Sequence, residues 1–198
     1  MDISPLITPT VDRKELARAL DDVNEETRIK AVMELRGRDL ATLFEGVADN
    51  EPLRLDDFVP RETPPLTEII HEGKNSLPTF SRFQKRFCLP AQPTDRPELW
   101  GYNHQTFRWF TGPGYFVAKI NADGLMLIDY TSVPEGRPSH WPPVIPNSAR
   151  LGRFVYYGTS DVMRRVSRFV TVGRALKGER PMNAWFVLVR REHANPRT

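Results

Sequence analysis

The chain has 198 residues, of which 39% are hydrophobic, and it carries a formal net charge of +3. This length and composition predict one domain with a sizeable core and an N-terminal extension. No apolar run approaches the roughly 20 residues that a membrane-spanning helix needs, and the first residues lack the pattern of a secretion signal. Cys88 is the only cysteine and excludes an internal disulfide, so we expect a cytoplasmic protein without a membrane span.

Charge is unevenly distributed along the chain. Residues 1–72 hold 17 acidic and 9 basic side chains, a net charge of −8, whereas residues 73–198 hold 8 acidic and 19 basic ones, a net charge of +11. Either the acidic segment packs against the basic one, or the basic part binds an anionic partner. We favour intramolecular packing, although the arginines near the C-terminus also suit contacts with external carboxylates or phosphates.

Residues 1–50 predict an N-terminal helical segment of three short helices. Asp12 and Asn24 are suited to cap the first two, Gly37 is expected to end the second, and Asp39 is expected to open the third. Each helix carries apolar residues along one side and therefore needs a surface to pack on. The strongly acidic character of the segment disfavours a helix-turn-helix DNA reader, so nucleic-acid binding is a minor alternative that stays open.

Residues 51–65 form a proline-rich connector, and residues 66–198 form a predicted, mainly antiparallel β domain that packs as one unit with the helices. Its predicted strands are Leu66–Glu72, Leu99–Asn103, Thr106–Thr111, Arg153–Tyr157, Phe169–Leu176 and Ala184–Arg190. Two segments are predicted as helices: Phe80–Phe87, whose phenylalanines fall on one helical face, and a short helix capped near Ser160. Turns are predicted at Gly73–Asn75 and Lys177–Asn183.

The clearest pattern is a hairpin between Tyr115 and Tyr130 that turns at Asn121–Gly124. This turn predicts a positive φ at Gly124 and a closing pair of Asn121 with Leu125. One face then carries Phe116, Ala118, Ile120, Met126, Ile128 and Tyr130, and the other carries Tyr115, Val117, Lys119, Leu125, Leu127 and Asp129. Because both faces are largely apolar, we expect both to be covered, for example by a barrel interior and by a helix.

Together these elements predict an α+β fold, with short N-terminal helices packed on a curled, mainly antiparallel β-sheet or small β-barrel. We expect about six to eight strands around a central cavity. Residues 132–150 contain five prolines and no periodicity, which favours a lid or binding loop at the mouth of that cavity. No motif identifies a family.

Metal, thiol and nucleotide chemistry receive little support. The four histidines are more than 30 residues apart in sequence and form no short ligand pair, so no metal site is predicted. Cys88 follows three phenylalanines and is typical of a small buried residue. The motif Gly112–Gly114 precedes a strand and lacks the helix that a phosphate-binding loop requires, and no cofactor is identified.

The candidate ligand-binding residues are aromatic side chains near the central hairpin together with two arginines. They are Tyr102, Trp109, Tyr115, Tyr130, Trp141, Arg164 and Arg168. Aromatic rings with a few polar groups suit a small-molecule site, and two arginines one helical turn apart could bind a carboxylate or phosphate. Equally, these arginines could hold the acidic helices, which is the explanation that we prefer.

The candidate catalytic residues are Asp129, His104 and Arg108. A carboxylate among apolar neighbours has either a raised pKa or a cationic partner, and Lys119 is the expected partner in the hairpin. Asp129 would act as acid or base, His104 as its proton partner and Arg108 as an anion stabiliser. The alternative is a salt bridge between Asp129 and Lys119 across the hairpin.

The sequence favours a protein that binds a small amphipathic or aromatic molecule in a β-barrel cavity. A cavity enzyme that uses acid-base chemistry is the second hypothesis. The third is an interaction protein whose arginine-rich C-terminal half binds an anionic partner. A homo-oligomer is compatible with each of them.

Overall fold

The structure, a computed structural model, describes residues 1–77, 81–95, 97–104, 113–145 and 158–192. These residues form three α-helices, α1 (Arg13–Asp21), α2 (Glu25–Met33) and α3 (Gly37–Gly46), and two short 3-10 turns at Ser4–Leu6 and Leu55–Asp57. The strands are β1 (Ile69–Asn75), β2 (Arg82–Cys88), β3 (Glu98–His104), β4 (Tyr115–Ile120), β5 (Met126–Asp129), β6 (Thr159–Arg165), β7 (Val170–Lys177) and β8 (Arg180–Arg190).

The eight strands form a closed antiparallel barrel in which each strand pairs with the next along the chain, and β8 pairs with β1. The predicted α+β fold with helices on a small barrel is therefore confirmed. Closure removes the exposed sheet edges that an open sheet of this size would present. Within the described residues, no helix has the length and apolar character to span a membrane.

The helix caps follow the sequence closely. The Asp12 carboxylate accepts a hydrogen bond from the Glu15 amide at 3.1 Å, and the Asn24 side chain accepts one from the Thr27 amide at 2.9 Å. These bonds satisfy amide groups that have no partner inside the helix, as predicted. The predictions that Gly37 ends α2 and that Asp39 opens α3 are wrong, because Gly37 opens α3 and Asp39 is its third residue, where its carboxylate accepts from the Arg36 amide at 2.8 Å.

The three helices pack on the outer wall of the barrel. Their apolar sides meet the outward-facing residues of β7 and β8 in one buried cluster, which includes Leu16, Leu20, Val32, Leu40, Leu43, Phe44, Val170, Val172, Val187 and Val189. Full burial of each such side chain contributes about 1.5–3 kcal/mol of transfer free energy. This apolar contact explains why three short amphipathic helices are stable here.

Ion pairs join the acidic N-terminal region to the basic C-terminal region. Glu45 pairs with Arg164 at 3.5 Å and with Arg174 at 3.4 Å, and Asp57 pairs with Arg165 at 2.5 Å. Arg191 pairs with Glu25 and Glu72, and the fully buried Arg28 pairs with Glu192 at 2.8 Å in the opposite sense, base to acid. The charge asymmetry therefore has an intramolecular explanation, as we favoured from the sequence.

The central hairpin has the predicted register. The Asn121 amide donates to the Leu125 carbonyl at 2.9 Å, Gly124 has φ +76°, and Ala118 lies opposite Ile128. The face that includes Phe116, Ala118 and Ile128 points into the barrel and is buried. On the other face Tyr115 and Val117 pack with Trp141 rather than with a helix, whereas Leu125 is exposed, so the expectation that this face is covered holds only for its first part.

Several predicted elements differ from the structure. Phe80–Phe87 was predicted as a helix, but residues 82–88 form β2, in which Phe83, Lys85 and Phe87 alternate toward the interior. The segment after Ser160 was also predicted as a helix, but it forms strand β6, in which Asp161 and Met163 alternate toward the interior.

Two predicted turns were also misplaced. Gly73–Asn75 belongs to β1, and the final turn contains only Gly178 and Glu179. The predicted strands Thr106–Thr111 and Arg153–Tyr157 lie outside the described residues.

Three glycines on the inner wall make room for three phenylalanine rings. Gly73, Gly101 and Gly173 lie directly opposite Phe83, Phe116 and Phe186 on the neighbouring strands. A Cβ atom at each glycine would overlap the facing ring. The rings therefore lie across the glycines and fill the barrel interior, a pairing that also protects the exposed backbone of a glycine in a strand.

One end of the barrel is closed by the segment 51–59. Phe58 stacks on His71 with ring centroids 5.4 Å apart, and His71 Nε2 donates to the Phe58 carbonyl at 3.0 Å. Arg165 also donates to the Glu51 and Pro52 carbonyls at this end. We call the opposite end, where β1, β3, β5 and β7 end and β2, β4, β6 and β8 begin, the loop end.

Replacement of Gly173 by alanine should destabilise the barrel, because the added Cβ would overlap Phe186 and approach Met163 Sδ to 2.6 Å. Overpacking of this kind costs about 1–3 kcal/mol in the free energy of unfolding, measurable by urea denaturation. In a Phe186→Leu background, Gly173→Ala should lower the free energy of unfolding by less than it does in the wild type, because leucine leaves room for the added Cβ. Additive effects of the two substitutions would contradict the proposed ring-on-glycine contact.

His71 should make the protein less stable in mild acid. Burial lowers the pKa of His71 from 6.5 to about 3, so the imidazole is neutral in the folded state and becomes protonated on unfolding below its ordinary pKa. The unfolded state then binds more protons, and the free energy of unfolding falls as pH drops from about 6.5 toward 3, by up to about 1.4 kcal/mol per pH unit.

A His71→Gln variant separates this effect from that of other groups, because the amide can donate to the Phe58 carbonyl without titrating. Urea denaturation of both proteins between about pH 7 and pH 5 should show a steeper decline for the wild type. Equal slopes would show that His71 is not the group responsible.

Candidate functional site

Four polar side chains meet inside the barrel. Lys85 of β2, Asn103 of β3, Tyr130 just after β5 and Asp161 of β6 all point inward, and we call them the buried polar cluster. Asn103 is one residue from the end of β3, Tyr130 follows the last residue of β5, and Asp161 is the third residue of β6. These positions place the cluster toward the loop end, and the remaining interior residues include an apolar cluster and the buried His71.

Hydrogen bonds connect every member of the cluster. Lys85 Nζ donates to Asn103 Oδ1 at 2.9 Å and to the Tyr130 hydroxyl, and it lies 3.3 Å from Asp161 Oδ2. The Tyr130 hydroxyl donates to Asp161 Oδ2 at 3.1 Å and accepts from Asn103 Nδ2 at 3.1 Å. Tyr130 thus links the amino group to the carboxylate, and a proton could pass between them along direct hydrogen bonds.

The surroundings of the amino group are aromatic. Lys85 Nζ lies 5.0–5.7 Å from the ring centroids of Phe83, Phe116, Tyr130 and Phe186. Ring faces attract a cation, which partly offsets the loss of water. Lys85 retains only 2% of its surface exposure and Asp161 5%, so both groups are separated from bulk solvent.

Burial acts on both charged groups of the cluster in opposite directions. It lowers the pKa of the Lys85 amino group and raises the pKa of the Asp161 carboxyl, while the attraction between the two groups opposes each shift. The neutral amine and the neutral acid are therefore closer in free energy to the ion pair than they would be in water. Such shifts bring lysine and aspartate toward the protonation states that acid-base and nucleophilic chemistry use.

Of the predicted ligand-binding residues, Tyr130 lies in the buried polar cluster. Tyr102, Tyr115 and Trp141 instead pack together on the outer wall, with Trp141 4.8 Å from Tyr102 and 6.4 Å from Tyr115 between ring centroids. Trp141 Nε1 donates to Glu68 at 2.6 Å. These contacts fasten the described part of the loop, residues 132–145, to the outside of the barrel rather than to the mouth of a cavity.

The predicted catalytic residues that can be placed lie on the outer wall. Asp129 is 2.8 Å from Lys119 Nζ and accepts hydrogen bonds from Thr131 and Ser132. Burial raises the pKa of Asp129, but the hydrogen bonds from Lys119 and Thr131 outweigh burial and hold that pKa below its ordinary value. This is the salt-bridge alternative weighed from the sequence, and it accounts for both carboxylate oxygens.

His104 is next to Tyr102 on β3, two strands away from Asp129 on β5. Arg108 and Trp109 lie outside the described residues. The catalytic roles of Asp129, His104 and Arg108 stay predictions.

The arginine pair has a different geometry from the one predicted. Arg164 lies in strand β6 and Arg168 in the turn after it, so they are not one helical turn apart. Arg164 donates to the Phe44 carbonyl at 2.6 Å, and the Arg168 amide donates to Asp21 at 3.2 Å. Both residues contact the N-terminal helices, which was the preferred explanation, and their role in ligand binding stays a prediction.

Sequence reasoning missed Lys85 and Asp161 as site residues. Lys85 lies in the segment predicted as a helix from the spacing of Phe80, Phe83 and Phe87, and a helix would place it away from their face. The pattern Phe83-x-Lys85-x-Phe87 also fits a strand, and in a strand it places the lysine on the aromatic face. The alternation of Phe83, Lys85 and Phe87 was therefore the sequence signal that pointed to an inward-facing lysine.

Removal of the amino group should be costly in a pH-dependent way. In a Lys85→Met variant the buried Asp161 carboxylate loses its cationic partner, which should lower the free energy of unfolding by about 3–5 kcal/mol near neutral pH. The pKa of Asp161 is already raised and should rise further, so the folded state takes up the proton more readily than the unfolded state. The loss should shrink as pH falls toward the ordinary pKa of 3.8.

The same substitution at Lys119 is the matched control. Its side chain is 40% exposed, and its partner Asp129 keeps hydrogen bonds from Thr131 and Ser132. We expect a loss of at most about 1 kcal/mol. Equal losses for the two variants in urea denaturation, or a Lys85→Met loss that grows on acidification, would contradict the assigned electrostatics.

Comparison of the chain with protein-family models, curated proteins and solved structures gives no match. The function proposed below is accordingly argued from the geometry of the described residues.

Proposed function

We propose that this protein binds a small, uncharged amphipathic or aromatic molecule at the loop end of its barrel. The observation that carries the proposal is the buried polar cluster, an ion pair with a tyrosine and an asparagine inside an aromatic interior. In this proposal the cluster binds the polar group of the ligand, and nearby phenylalanine rings contact its apolar body.

The cluster is difficult to explain by stability alone. Burying a lysine and an aspartate costs several kcal/mol of desolvation for each ion, and apolar side chains of similar volume commonly stabilise a core as well or better. Most of the rest of the interior is apolar and filled by rings such as Phe87, Phe116 and Phe186, and the buried imidazole of His71 is bonded to the segment 51–59. A polar group that departs from this pattern, at the end away from the closing segment 51–59, favours a binding role.

Charge balance favours an uncharged ligand. Lys85 and Asp161 already neutralise each other at 3.3 Å. A ligand carboxylate would leave one uncompensated negative charge in a site of low polarity, and a ligand cation would leave one positive charge. A carbonyl or hydroxyl group avoids this cost because it can accept a hydrogen bond from Lys85 Nζ or from the Tyr130 hydroxyl without changing the total charge.

Of the two alternatives, the interaction hypothesis fits less well, whereas the enzyme hypothesis gains support. The interaction hypothesis relies on a basic C-terminal half, yet Arg164, Arg165, Arg174 and Arg191 pair with carboxylates of the same chain. The enzyme hypothesis gains a new set of ionisable groups within hydrogen-bond reach, because Lys85, Tyr130 and Asp161 provide what was sought at Asp129 and His104.

Fluorescence titration with prodan, a neutral aromatic ketone whose emission shifts to shorter wavelength in apolar surroundings, tests the proposal. The wild type should bind prodan more tightly than the anionic anilinonaphthalene sulfonate. The Tyr130→Phe variant should weaken prodan binding by at least about tenfold, which corresponds to about 1.4 kcal/mol. Lys85→Met should weaken it at least as much.

Lys119→Met, a change to the outer wall, serves as the control and should bind prodan as the wild type does. Near-ultraviolet circular dichroism checks that each variant keeps its tertiary packing. Prodan affinity that is the same in wild type and Tyr130→Phe would contradict the location of the site. Tighter binding of the anionic dye to the cluster would contradict the charge argument.

A further inference from the structure

We infer that Lys85 is a nucleophile that captures an aldehyde group as an imine, so that the ligand class includes small aromatic or unsaturated aldehydes. This inference rests on the proposed function, since it concerns the polar group that the buried polar cluster would bind. Its basis is geometric: one amino group, one hydroxyl and one carboxyl lie in direct hydrogen-bond contact inside an aromatic enclosure.

The reaction requires a neutral amine, and Asp161 is placed to supply it. Its carboxylate lies 3.3 Å from Lys85 Nζ and is also joined to it through the Tyr130 hydroxyl. Transfer of the ammonium proton to Asp161 leaves two neutral groups, which a desolvated site favours. Burial lowers the pKa of Lys85 and raises that of Asp161, and both shifts assist this transfer.

The chemical step is a condensation that balances without an oxidant or reductant. The lone pair of Lys85 Nζ attacks the aldehyde carbon, the carbonyl π bond breaks, and one proton moves from the nitrogen to the oxygen, directly or through the Tyr130 hydroxyl, to give a neutral carbinolamine. Protonation of that hydroxyl from Asp161, directly or through Tyr130, releases water as the carbon–nitrogen double bond forms. The products are a protonated imine and an Asp161 carboxylate, so the ion pair is restored.

The aromatic surroundings suit the product as well as the reactant. Phe83, Phe116 and Phe186 present their rings within 5.7 Å of the nitrogen, where they can stabilise a cationic imine and contact an unsaturated substituent. Lys119 offers a contrast, because its amino group lies on the outer wall against Asp129 with a 40% exposed side chain. If the aromatic surroundings promote imine formation, Lys85 should therefore react faster with an aldehyde than Lys119.

Reductive trapping with cinnamaldehyde and sodium cyanoborohydride tests the inference on the full chain. At near-neutral pH, intact-mass analysis should show one reduced adduct per chain, and peptide mapping should place it on Lys85. Modification of Lys85 should proceed at least about tenfold faster than that of Lys119. A Lys85→Arg variant keeps the charge but cannot form the imine, and it should lose the rapid adduct; Lys119→Arg should retain it.

A second readout is the pH dependence of trapping. In wild type the Lys85 adduct should form at pH values where ordinary lysines are protonated and unreactive. In Asp161→Asn the acid that protonates the departing hydroxyl is absent, so imine formation should slow by at least about tenfold although the amine is more easily neutral, while Asp123→Asn in the exposed turn between β4 and β5 should react as the wild type does. A rate that is unchanged in Asp161→Asn would overturn the assigned proton transfer.

The outcomes separate the two proposals. Prodan binding that depends on Tyr130, together with equal and slow labelling of Lys85 and Lys119, would overturn the imine and leave the proposed function standing. Absence of both prodan binding and rapid Lys85 labelling would overturn the two together. Rapid labelling confined to Lys85 and lost in Lys85→Arg supports the inference.

Discussion

The arrangement of the polar side chains inside this barrel depends on one buried lysine amino group. Lys85 Nζ is removed from water, and it can keep a proton only because Asp161, Asn103 and Tyr130 surround it with acceptors and aromatic rings face it. These partners belong to β3, to β6 and to the residue after β5, so the cluster exists only when the sheet has curled far enough to bring them opposite Lys85 of β2. Closure of the barrel and formation of the cluster are therefore linked.

The rest of the interior accommodates this arrangement through contacts between rings and glycines. Phe83, Phe116 and Phe186 would not fit beside larger residues at Gly73, Gly101 and Gly173, and the same three rings flank the amino group. The N-terminal region contributes from outside: its helices cover the outer faces of β7 and β8, and the segment 51–59 closes one end. The loop end is where a ligand would meet the cluster.

The sequence predicted the parts of this fold that depend on local chemistry. Asp12 and Asn24 cap helices because their side chains suit the first amides, and the register at Asn121–Leu125 follows from the turn residues. It failed where two periodicities coincide, since Phe80, Phe83 and Phe87 fit a helix whereas Phe83 and Phe87 also fit a strand. The wrong choice hid Lys85. Asp161 was missed because the segment after Ser160 was predicted as a helix, whereas in strand β6 its carboxylate faces the interior.

The most direct measurement is a crystal structure of the protein soaked with a neutral aromatic ketone. The account predicts density for the ketone at the loop end, with its carbonyl oxygen within hydrogen-bond distance of Lys85 Nζ or of the Tyr130 hydroxyl and its ring beside Phe83. Density confined to the outer wall, with the four cluster residues still bonded only to one another, would contradict the claim that the buried polar cluster is a binding site.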